Sequence, residues 1–123
     1  FCYLLDTLRL RYPNGQPPLA ELYGTLAKLS TEIARHGTFN YIVSNGDYLF
    51  AHCTDNLTYV LRHAPFATAH LKDQDIEVDF SEVTTPMDRI AVIATEPLTD
   101  NETWVRFAPG QLLAFNDGAP LSP

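Results

Sequence analysis

An α+β fold follows from three features of the sequence. Two stretches near its start repeat apolar residues at helical spacing. From about residue 38 the repeat shortens to two, the period of a strand. Asn45-Gly46 then interrupts the strand-like run where a hairpin turn belongs. The predicted architecture is two helices packed on one largely antiparallel sheet of about six strands.

Phe1, Leu4, Leu5 and Leu8, with Tyr12 one turn further, make the first apolar stripe. No capping residue precedes them, so this helix is expected to begin upstream and the chain to be the C-terminal part of a larger protein. Tyr12-Pro13-Asn14-Gly15 ends the helix, because Pro and Gly oppose its continuation. Pro18 suits the first turn of a second helix. Leu19, Leu22, Tyr23, Leu26, Leu29 and Ile33 form its stripe, Arg35 and His36 its last turn, and Gly37 its C-cap.

Thr38 to Ser44, Asp47 to Cys53 and Leu57 to Arg62 are expected as three consecutive strands, joined by a tight Asn45-Gly46 turn and by Asp55-Asn56. Phe39, Tyr41, Val43, Tyr48, Phe50, Leu57, Tyr59 and Leu61 would share one face, and Ile42, Leu49, Ala51 and Val60 the other. A sheet apolar on both faces needs cover on both. The helices supply one layer, and the other is expected from the upstream half of the parent protein. Ala64 to Lys72 has no period. Asp75 to Phe80 alternates like an acidic edge strand. Arg89 to Ala94 is expected as a buried central strand, and Gln111 to Asn116 as the last strand. Asp117-Gly118 marks its end, and Ala119 to Pro123 is expected as a tail. There is no internal repeat.

The 123 residues suffice for one domain with a core, and an apolar content of 46% is that of a globular chain. No run is long and apolar enough for a membrane span. The net charge of −7, with acids gathered between Asp73 and Glu102, opposes binding to phosphate backbones. Cys2 and Cys53 both lie in apolar periodic segments and are expected as reduced, buried thiols of a cytoplasmic protein.

Few residues carry a chemical signature. Cys2 is a poor N-terminal nucleophile, because such a residue must be first in the chain for its α-amine to serve as base. Phe1 precedes it, and a helix follows. His36, His52, His63 and His70 have no metal-ligand spacing, and His52 and Cys53 point to opposite strand faces. His52 is expected as a hydrogen-bonded packing residue. Asn45-Gly46 is expected as turn chemistry and not as an oxyanion hole. The acidic run lacks EF-hand spacing and is expected as a solvated face. Glu96, Asn101 and Glu102, close to Trp104, are harder to dismiss. They either fix a corner, with Arg89 or Arg106 as partners, or face a ligand cleft; fixing is favoured, since buried charges need partners.

Three blocks carry a resemblance: Phe39 to Cys53; Leu57 to Phe66 with Arg62 and Ala64-Pro65-Phe66; and Thr95-Glu96-Pro97-Leu98-Thr99 with Asn101, Glu102 and Trp104. Together they resemble the YafJ-type class II glutamine amidotransferases, which are N-terminal-nucleophile hydrolases. Phe1 to Leu5 resembles the helix that follows the family's Asp-Ser-Glu segment. The resemblance implies an αββα sandwich that hydrolyses the side-chain amide of glutamine and releases ammonia. An N-terminal Cys forms a glutamyl thioester, and an Asn-Gly pair stabilises the oxyanion. By the family's order these residues fall before Phe1. Residues 1–123 would then be the C-terminal part of a single amidotransferase domain, with no catalytic, cofactor-binding or metal-binding residue and no cofactor. Glutamine would be a substrate of the parent protein. A profilin-like or PAS-like binding module is the competing expectation, and the Thr95 to Trp104 segment has no reason to occur in one.

Overall fold

The structure, a computed structural model, describes residues 1–63, 68–70, 77–79 and 89–121. Ala64-Pro65-Phe66 and the acidic Asp73, Asp75, Glu82 and Asp88 lie outside the described residues. The fold is α+β, with two helices and antiparallel sheets. The elements are α1 (Cys2–Arg11), α2 (Leu19–Ala34), β1 (Tyr41–Ser44), β2 (Leu49–His52), β3 (Thr58–His63), β4 (Thr68–His70), β5 (Glu77–Asp79), β6 (Arg89–Ala94), β7 (Val105–Arg106), β8 (Leu112–Asn116) and β9 (Ala119–Leu121). They divide into two compact units, one of Phe1–Asp55, Ala108–Asn116 and Pro120–Pro123, the other of Asn56–Phe107 and Asp117–Ala119.

The first unit is built on the β1-β2-β8-β9 sheet. The register pairs Tyr41 with His52, Val43 with Phe50, Phe50 with Ala114 and His52 with Leu112. These residues therefore share one face. Against that face pack Leu4 of α1 and Leu22, Leu26 and Leu29 of α2. The second helix follows the predicted stripe, and its Thr25 and Ser30 are buried as well. Each buried hydroxyl is satisfied. Ser30 Oγ bonds the Leu26 carbonyl at 2.7 Å and the Tyr41 hydroxyl at 2.8 Å. The Tyr12 and Thr25 hydroxyls meet at 2.8 Å, and Tyr23 Oη donates to the Leu112 carbonyl at 2.7 Å. Residues beside α1 and on α2 are thus pinned by directional bonds as well as by apolar contact. His52 is a buried packing residue, as its sequence position predicts. Its Nδ1 lies 3.1 Å from the Phe39 carbonyl oxygen, and its ring stacks on Tyr41 with centroids 5.3 Å apart.

The expectation of one six-stranded sheet is not met. β2 is flanked by β1 on one side and β8 on the other, so a third consecutive strand finds no free edge there. The chain turns at Asn56, whose φ is 51°, and β3 becomes the middle of a second sheet ordered β6-β3-β7. It pairs with β6 from Thr58↔Ala94 to His63↔Arg89. Arg89–Ala94 is accordingly an edge strand among the described residues, half-buried and not central. The alternating acidic segment does form a strand, β5, paired with β4.

Two hairpins also differ from expectation. Asn45 does not have a positive φ; only Gly46 does, at 96°. Asn45 closes the turn through its backbone N–H to the Tyr48 carbonyl, and its Oδ1 accepts from the Asp47 and Tyr48 amides at 3.0 and 2.8 Å. The tip is therefore Gly46-Asp47, with left-handed geometry at its first position alone. The two-residue turn with both φ positive is Asp117-Gly118, at 51° and 72°. It joins β8 to β9, so Ala119–Leu121 is a strand and not a tail. Arg35 and His36 follow α2 instead of forming its last turn. Cys2, expected buried, is exposed, and on that helix Leu4 and not Cys2 faces the core; Cys53 is buried, and neither cysteine forms a disulfide.

Candidate functional site

The Thr95 to Trp104 segment gains its shape from the strands at its ends. β6 and β7 both run antiparallel to β3, hence parallel to one another. The chain between them must cross back, and this crossover carries the polar residues. Its start is held by Thr58 Oγ1, which donates to the Ala94 carbonyl at 2.9 Å. Pro97 has no N–H to extend the ladder, which suits the end of pairing there. Thr99 is buried at the centre of the crossover.

A continuous bond network organises this segment. Trp104 Nε1 donates to Thr99 Oγ1 at 2.8 Å, and Thr99 Oγ1 donates to Glu102 Oε1 at 2.8 Å. Arg62, from β3, grips the same carboxylate in a fork. Its Nε reaches Oε2 and its NH2 group reaches Oε1, each at 2.7 Å. The two side chains are only 14% and 17% exposed, so water screens the pair weakly. The Arg62 hydrogen bonds hold the Glu102 carboxyl below the usual carboxylate range; burial opposes this and Thr99 assists it. Glu102 therefore stays ionised at neutral pH with both oxygens engaged. Such a group positions a backbone segment; it does not shuttle protons.

Glu102 is the fixed carboxylate of the corner, but its partner is Arg62, not Arg89 or Arg106. Arg89 instead bonds Asp117, at 2.9 Å, and Arg106 is exposed. Glu96 is exposed and makes no ion pair or side-chain hydrogen bond among the described residues. Asn101 is exposed too. Arg62, near the end of β3, was not among the partners the sequence suggested. Its partner lies 40 residues away, beyond any local pattern.

The other chemical candidates are dispersed. His36 and His63 are exposed, and His52 is spent on packing. Among the described residues no three His, Cys, Asp or Glu side chains gather at metal-binding distance. Cys2 opens α1, and Cys53 is buried beside β8 through backbone bonds to Gly110 and Gln111. Within the first unit a cavity of about 210 Å³ lies between α1, α2 and β1. Leu5, Leu8, Leu22, Leu26, Val43 and Phe50 supply most of its wall, with Arg9 and Gln16 at its margin.

The architecture is α+β, with helices on an antiparallel sheet and, in the second sheet, a crossover fixed by an ion pair. Residues 1–122 match the family described as "Glutamine amidotransferases class-II". The chain belongs to this class II glutamine amidotransferase family. It is 46% identical over 115 residues to "Putative glutamine amidotransferase YafJ" of Escherichia coli K12, covering 94% of this chain and 45% of that protein. It is 38% identical over 122 residues to "Putative glutamine amidotransferase" of Haemophilus influenzae, covering 99% and 41%. Its fold is similar to that of a "predicted glutamine amidotransferase from Pseudomonas aeruginosa PA01", known from a crystal structure. The TM-score is 0.85 at 42% identity, covering 100% of this chain and 48% of that one. The chain thus spans under half the length of the curated relatives it matches. Among the described residues no helix is long and apolar enough to cross a membrane.

Proposed function

We propose that this chain is the structural, C-terminal part of a cytoplasmic class II glutamine amidotransferase of the αββα type, and that its parent hydrolyses glutamine. In that reaction an N-terminal Cys thiolate attacks the side-chain carbonyl carbon. The C–N bond breaks, the nitrogen takes a proton by way of the α-amine and leaves as ammonia, and water hydrolyses the thioester to glutamate. The nucleophile, the amine and the oxyanion donors are assigned to the part of the parent outside the matched half. This chain would contribute a sheet, its helical layer and a fixed crossover, and would pack against that other half.

The observation that carries the reading is the family match over residues 1–122, at under half the length of the relatives. The geometry supports it. The carboxylate most engaged in the crossover is locked by Arg62, one thiol is buried, and the other begins a helix behind Phe1. A glutamine analogue bearing a diazoketone alkylates the attacking thiol and tests the assignment. In the full-length protein the label is expected outside residues 1–123, with glutamate release abolished and Cys2→Ala without effect. Label on Cys2 or Cys53, or turnover that depends on Cys2, would overturn the assignment.

A further inference from the structure

We draw no further inference here: the strongest candidate, the apolar cavity between α1, α2 and β1, has no buried unpartnered polar group aimed into it, and nothing in the structure shows what covers it.

Discussion

Glu102 and Glu96 stand six positions apart in one crossover, yet their surroundings give them opposite weight. Glu102 satisfies an arginine fork, a threonine and, through it, the indole of Trp104. Glu96 is solvated. Replacing Glu102 by Gln removes one arm of a charge-assisted fork in a weakly solvated place and is expected to cost about 1–3 kcal/mol. Glu96→Gln is expected within about 0.5 kcal/mol of wild type, as for other surface changes. Chemical denaturation of the full-length variants checks both. Equal stability losses would refute this division of roles. Because Glu102 holds no transferable proton, turnover of the folded Glu102→Gln protein should change by less than about tenfold.

At the scale of elements, the hairpins separate two uses of glycine. Gly46 needs its positive φ, but a Cβ there would meet open space. Gly118 also has a positive φ, and a Cβ there would come within 2.5 Å of the Arg89 carbonyl oxygen. Gly46→Ala is expected to lose about 1 kcal/mol from backbone strain alone. Gly118→Ala adds a collision with the main chain of β6 and should lose distinctly more, with the Arg89–Asp117 pair disturbed. Comparable midpoints for the two variants would show that the close approach is relieved at no cost. The helices allow a similar contrast. Leu26 is 1% exposed in the core beneath α2, whereas Leu10 of α1 is 84% exposed. Leu26→Ala should cost about 2–5 kcal/mol through lost burial and the cavity left behind, and Leu10→Ala almost nothing. A large loss at Leu10 would instead reveal that this side chain is covered in the full-length protein.

For the whole molecule, pH dependence follows from three groups: His52, Glu102 and Tyr41. Desolvation lowers the His52 pKa below its usual 6.5, partly opposed by the hydrogen bond to the Phe39 carbonyl. The unfolded chain therefore binds a proton more readily than the folded one. Stability from a neutral His52 is present above about pH 6.5 and is lost as pH falls below it. Glu102 acts in the same direction but lower. Its stabilisation is present above the unfolded carboxyl range, near pH 4.3, and disappears as pH falls through its depressed folded value. At the alkaline end, burial raises the Tyr41 pKa, so stability declines as pH rises beyond about 10. Melting temperature followed from pH 8 downward should fall in two stages. His52→Phe should remove the upper stage and Glu102→Gln should diminish the lower one. An upper stage unchanged in His52→Phe would show that another group carries it.

Local chemistry by itself determined the two helices and the strands β1, β2, β3, β5, β6 and β8, but not β4, β7 or β9. Each element so determined rests on neighbours within a few residues: the stripe from Leu19 to Ile33, the alternation through Tyr41 and Val43, the Pro and Gly breaks. The family membership was legible for the same reason, since its blocks are contiguous. Which strands pair was decided only in three dimensions. Nothing near Leu57 announces that β2 is already flanked by β1 and by β8 from far along the chain, yet that occupancy sends β3 to a different sheet. Nor does the sequence around Glu102 name its partner. Arg62 reaches it because β6 and β7 line both sides of β3 and the crossover must return over that strand. Strand pairing and ion pairing satisfy groups across the chain rather than along it, so only the tertiary structure fixed the sheet order and the Arg62–Glu102 clasp.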